Sequence, residues 1–278
     1  MNSKKLRLKA KNVHWTFFLL AFIALNSLGF SQTDTTDPRN AVPLVTDRPD
    51  ATEAPSTVAP GMLHVETGAL YESFESNNIK NESFAYNTTL LRLGLLDNLE
   101  LRAGWDFVEG QTSVNGTKLP NVSSGLNPLL LGTKVNITEA EGWLPEIGLI
   151  GHLFLPFTAG ADNRPETTGV DFRFSFSHHL NAKSNLSYNL GAQWRDDSTE
   201  ATYIYTLSYG YSIADTIGAY VEVYGDFPED SKANHLWDAG LAYLISNDLQ
   251  LDATVGSSIT EGQDLLLSAG ASFRVPTW

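Results

Sequence analysis

The sequence predicts an all-β protein: a closed antiparallel transmembrane β-barrel of twelve strands, following a cleaved signal peptide and an extended N-terminal segment. Three observations carry this prediction. The first is alternation with period two. In LELRAGWDF, Leu99, Leu101, Ala103, Trp105 and Phe107 alternate with Glu100, Arg102, Gly104 and Asp106, so one face is dry and the other polar. The second is length. Many alternating stretches run to about 11–14 residues, well above the usual 5–6 of soluble strands and enough for a tilted bilayer crossing. The third is the connections, which alternate between tight and longer, as in outer-membrane barrels with short periplasmic turns and longer outside loops.

Composition narrows the class. The chain of 278 residues is 42% hydrophobic and 18% charged, too apolar for disorder and too interrupted by polar residues for a helical membrane protein. Its 22 glycines, with 10 tyrosines and 14 phenylalanines, favour turns and strands. There is no cysteine, which excludes a disulfide framework, a thiolate metal site and a cysteine nucleophile.

Taken in order, the first element is residues 1–31. KKLRLKAK is basic, WTFFLLAFIAL is a short apolar run, and NSLGFSQ supplies small residues around a cleavage point after Ser31. This is the layout of a secretory signal peptide, and the apolar run is too short for a transmembrane helix. Its removal leaves 13 Lys and Arg against 32 Asp and Glu, a net charge of −19. Nucleic acid is therefore no partner, because phosphate binding needs a basic surface.

Residues 32–60, an extended periplasmic segment or strap, hold five of the twelve prolines and show no apolar period. The barrel follows over 61–278. Alternating segments lie near 62–75, 83–96, 98–110, 126–138, 144–157, 168–180, 183–196, 200–213, 216–227, 235–246, 248–259 and 264–275. LLDNLE, HLNAKSN, SIADTI and LISNDLQ are the tight connections. SNNIKNES, EGQTSVNGTKLPNVSSGLNP, FTAGADNRPETTG, RDDSTE, DFPEDSKANH and TEGQD are the longer ones, with TEAEGWLPE departing from the pattern. The polar faces carry Glu66, Arg92, Glu100, Arg102, Asp106, Lys134, Asp171, Arg173, Arg195, Glu222, Asp252 and Arg274. Charges of both signs among glycines suit a barrel lumen. Aromatic residues such as Phe107, Trp194, Tyr203 and Trp237 fall near segment ends on the apolar faces, as in interfacial girdles. Closure is required as well, since lipid offers nothing to an unpaired strand edge.

Asp47, Arg48, Asp50 and Glu53 lie in a stretch stiffened by Pro49 and Pro55. They are candidates to pair with lumen residues Glu100, Arg102, Asp106, Asp171, Arg173, Asp252 and Arg274. Asp47 and Asp50 would meet Arg102, Arg173 or Arg274, and Arg48 would meet Glu100 or Asp252. Such a segment would enter or cover the periplasmic mouth and restrict passage; the plainer reading is a polar linker.

VTDRPDATEAP at 45–55 resembles the segment before the first strand in a family of bacterial outer-membrane proteins, the MetA-pathway phenol-degradation family. LRLGLLDNLELRAG (91–104), SGLNPLLLGTKVNI (124–137), LPEIGLIGHLFLP (144–156) and the closing residues 243–276 are similar to it too. The resemblance implies an outer-membrane barrel with a transport role and supplies no catalytic set. SAGASFRV (268–275) resembles a signal for the barrel-assembly machinery, although the chain continues to Trp278.

Chemistry is sparse. His178–His179 has no orienting third group, so an interfacial pair is preferred to a hydrolase or metal site. GDFPED (225–230) lacks the spacing of a calcium loop. No cofactor or metal is expected. The reading is a channel or transporter for a small solute, with aromatic or hydrophobic compounds as the candidate class, and with outer-membrane lipid and the assembly machinery as partners. A barrel enzyme acting on lipid or peptide, and a structural barrel without transport, are the alternatives.

Overall fold

In the computed structural model, the described residues are 42–195, 197–260 and 262–277. The signal-peptide assignment and the start of the strap lie outside them. The strands are β1 Met62–Ser76, β2 Ile79–Leu96, β3 Leu99–Val114, β4 Thr117–Leu126, β5 Leu129–Thr138, β6 Glu146–Leu155, β7 Gly169–Asn181, β8 Ser184–Trp194, β9 Thr202–Ala214, β10 Ile217–Pro228, β11 Asn234–Ser246, β12 Leu249–Ser258 and β13 Gln263–Pro276. Each pairs antiparallel with its neighbours. β13 returns to pair with β1, and β2 pairs with β3, so the sheet closes. Closure leaves no unpaired edge within the ring, as a strand structure in lipid requires.

The ring has twelve strands. β4 is additional and lies outside it, paired only with the far half of β3 (Phe107–Val114), while β5 takes the near half (Leu99–Gly104). Asn127–Pro128 separates β4 from β5, so the two occupy one place around the barrel in succession. The sequence suggested a long loop here. The structure instead continues β3 to Val114 and turns at Asn115–Gly116, both with positive φ (50° and 76°). Asn-Gly is the preferred pair for such a hairpin turn. Pro120 sits where the β3–β4 register shifts, and there a missing N–H is tolerated. SNNIKNES likewise shrinks to a two-residue turn at Asn77–Asn78. A tilted strand needs about 9–11 residues to cross the hydrocarbon core. With 15, 18 and 16 residues, β1, β2 and β3 therefore project beyond it, at the end opposite the tight turns.

The distribution of side chains is inside-out. Leu101, Val221, Leu241 and Leu251 are 43–54% exposed, whereas Glu66, Glu100, Lys134 and Glu222 are at most 1% exposed. An exposed apolar belt around a polar, charged interior has lipid as its natural solvent. The alternation in LELRAGWDF thus places its Leu and Phe side chains outward and Glu100 and Arg102 in the lumen.

Candidate functional site

The lumen holds the N-terminal segment. Its first leg is clasped at the tight-turn end: Leu44 N–H donates to the Asn247 carbonyl (2.8 Å), and Arg274 Nη2 to the Val42 carbonyl (2.6 Å). The second leg leaves at the same end, with Thr57 Oγ1 donating to the Asp97 carbonyl (3.0 Å) and Val58 N–H to Glu100 Oε2 (2.9 Å). Between the legs the chain reaches across the interior and back. Ala54 N–H donates to Asp47 Oδ1 (3.0 Å), closing the apex loop on itself.

Asp47 explains why this segment belongs there. The wall of β2, β3 and β5 brings Arg92, Arg102 and Lys134 together, and Arg92 faces Arg102 directly across the β2–β3 pair. Like charges in register repel. Glu66 pairs with Arg92 (2.9 Å), and Glu100 pairs with Arg92 (2.9 Å) and Arg102 (3.1 Å). Two carboxylates against three cations leave one positive charge unmatched. Asp47 supplies the third carboxylate, reaching Arg102 (2.7 Å), Lys134 (2.9 Å) and Arg92 (3.4 Å), while its own N–H donates to Glu66. Buried charges are tolerated when paired and hydrogen-bonded in this way.

Arg48 extends to the opposite wall. It pairs with Asp252 (2.8 Å) and donates to Ser268 Oγ (3.0 Å). Its guanidinium lies over Gly68 and Gly270, which face each other across β1 and β13; a Cβ at Gly68 would come within 2.8 Å of Nη2. The bare backbone makes room for the planar group.

The remaining apex residues face β7–β10. Glu53 pairs with Arg102 (2.8 Å) and Arg173 (3.7 Å), and its backbone exchanges two hydrogen bonds with the Asn189 side chain. Ala51 N–H donates to Glu222 Oε2 (2.7 Å), and Thr52 Oγ1 donates to Glu222 and contacts Thr206 Oγ1 (2.7 Å). Asp50 sits against Ser208 and Glu222.

Two cavities flank the segment. One, of about 500 Å³, lies toward the longer loops, lined by Asp106, Asn127, Leu130, Phe154, Arg173 and Arg195 among others. The other, of about 650 Å³, lies toward the tight turns, lined by Glu139, Glu146, Ser177, His179, Asn185 and Tyr211 among others. Arg48, Ala51 and Glu53 face the outer cavity; Pro49, Thr52 and Ala54 face the inner one; Asp50 lines both.

Among the candidates named from sequence, the structure joins Asp47 to Arg102, Arg48 to Asp252, and Glu53 to Arg102 and Arg173. It does not join Asp50 to Arg274: Arg274 pairs with Asp248 (2.5 Å) in the β11–β12 turn. Glu100 meets Arg92 and Arg102 rather than Arg48. Asp171 pairs with His152 (2.8 Å) and Arg173 (3.5 Å). Asp106 accepts from Asn127 in the outer half, away from the segment. Arg92, Lys134, Glu66 and Glu222 were legible as lumen-facing but not as segment partners. Asn189 was missed, its only signal being its place on the polar face of β8 between Ser187 and Gly191.

A transmembrane barrel of the outer-membrane type, its lumen occupied by its own N-terminal segment, is the class that this fold and interior define. The family model described as "Putative MetA-pathway of phenol degradation" matches residues 46–275, and the chain belongs to that family. The match starts within the inserted segment. The crystal structure of the COG4313 outer membrane channel from Pseudomonas putida F1 superposes with a TM-score of 0.61 at 15% identity, covering 80% of this chain and 98% of that one. The β-domain of the Bordetella autotransporter BrkA superposes with a TM-score of 0.50 at 10% identity, over 77% and 99%. At these identities the likeness is one of fold. No curated protein sequence matches the chain significantly.

Proposed function

We propose that the protein is a bacterial outer-membrane channel for small solutes, in which residues 45–55 restrict passage. The carrying observation is the pair of cavities, one toward each end of the barrel, separated by the ion-paired segment. A structural barrel has no need of such cavities, and a hydrolase needs a nucleophile oriented by a base. His152 is the buried histidine held by a carboxylate, and its neighbours are Asp171 and Phe154 rather than a serine. The COG4313 protein is itself named a channel, and the family's name refers to phenol degradation; both agree with uptake of a small organic molecule. Membrane lipid around the apolar belt and the assembly machinery that inserts such barrels are the partners this reading requires.

Deleting Val45–Pro55 tests it. The variant should insert as a barrel and pass solutes faster than the full chain in a liposome-swelling assay. An inserted variant with unchanged permeability would make the segment a linker or assembly element instead.

A further inference from the structure

We infer that the passage selects for cations over anions, and that Asp50, Glu222 and Asp238 on the β10–β11 side set this preference. The inference rests on the channel reading above.

The charges of the lumen are unevenly matched. On the β2–β5 side every cation described has a carboxylate partner, and Arg48 and Arg173 are paired with Asp252, Glu53 and Asp171. The β10–β11 side is different. Glu222 and Asp238 face each other in register, and Asp50 is brought against Glu222 from the segment. The neighbours here are hydroxyls: Thr52, Thr206, Ser208 and Tyr220. No Lys or Arg is paired with these three carboxyls among the described residues.

Two further observations set this side apart. Asp238 is only 3% exposed, yet its Oδ1 receives no hydrogen bond, an expensive arrangement unless something polar visits it. Asp50 lines both cavities and so stands at the boundary between them. The inner cavity reinforces the asymmetry, for Asp50, Glu139 and Glu146 line it and no Lys or Arg does. At the outer mouth, Arg195 is stacked on Phe154 (4.0 Å) with Asp106 in the same lining, leaving that end balanced. An ion passing between the cavities at Asp50 therefore meets a carboxyl backed by Glu222 and Asp238, with no cation paired to any of the three among the described residues, a grouping of the kind that favours cations in pores.

The experiment is a reversal-potential measurement on the purified full-length barrel in planar bilayers under a KCl gradient. Potassium should be preferred over chloride by roughly threefold or more, from an unscreened carboxylate at contact range. Asp238→Asn, which disturbs no hydrogen bond to the segment, should bring the ratio down by about half, and Asp50→Asn should act in the same direction. Conductance with no cation preference, or a ratio unmoved by either substitution, would overturn the inference while leaving the channel reading intact. Absence of conductance from both the full chain and the variant lacking Val45–Pro55 would remove the channel reading and this inference with it.

Discussion

At Asp47, cations from three strands converge on one carboxylate supplied by a segment outside the barrel wall. Asp47→Asn keeps the shape and removes the charge, leaving Arg92 and Arg102 to Glu66, Glu100 and Glu53 and depriving Lys134 of its 2.9 Å partner. Breaking one partner of a buried network costs about 3–5 kcal/mol when the site cannot rehydrate. A lumen can rehydrate, so the loss should appear as release of the segment. Raised conductance with near-normal barrel stability in urea is the expected result; unchanged conductance would show that the segment is held elsewhere. Leu251 and Asp252 separate the two faces of one strand. Leu251 is 43% exposed on the lipid side, so Leu251→Arg should weaken folding into vesicles by about 2–4 kcal/mol if it lies near the midplane. Asp252→Asn should leave folding largely intact and instead loosen Arg48. Equal sensitivity of the two positions in a folding titration would mean that the register is wrong.

At the scale of elements, the β3–β4 hairpin and the N-terminal segment contrast. The hairpin lies outside the closed ring, and β4 pairs with no ring strand except β3. Replacing residues 111–122 by a short turn should therefore preserve the barrel, seen as unchanged heat-modifiable mobility on a gel. Loss of that mobility shift would mean that the projecting hairpin helps to nucleate closure. The segment is the reverse case. It has no strand or helix of its own, and its backbone groups are satisfied by side chains of the wall: Asp47 N–H by Glu66, Ala51 by Glu222, Glu53 by Asn189 and Val58 by Glu100. Irregular backbone at membrane depth is stable only where protein or water supplies such partners.

At the scale of the molecule, both legs of the segment are fixed at the tight-turn end, so movement of the apex is the economical way to widen the passage. Thr52 and Thr206 offer a lock, because their Oγ1 atoms are 2.7 Å apart and a disulfide spans about 2.05 Å between sulfurs at the same branch position. The chain has no cysteine, so a Thr52→Cys, Thr206→Cys pair has no competitor. Oxidised, this variant should conduct less than after reduction; identical conductance in both states would place the passage away from the segment. Net negative charge, closure and the apolar belt together predict recovery from membranes only with detergent. Release of the protein into a soluble fraction would contradict the barrel.

What the sequence determined by itself is the alternation: which residues face lipid and which face the lumen, the twelve-strand ring, and the likeness of VTDRPDATEAP to its family. These are local properties, because a period of two fixes the face of every residue along a strand. It also showed that Asp47, Arg48, Asp50 and Glu53 are charges on a stiff segment. The tertiary structure alone decided their partners. Arg92, Arg102 and Lys134 are brought together by the stagger of β2, β3 and β5, and Asp47 comes from 45 or more positions away in sequence to meet them. Only the assembled barrel brought Arg48 to Asp252 and set Asp50 beside Glu222, while the β12–β13 register gave Arg274 to Asp248. Strand register and barrel curvature, neither of which any single segment encodes, determine which inward-facing charges become neighbours.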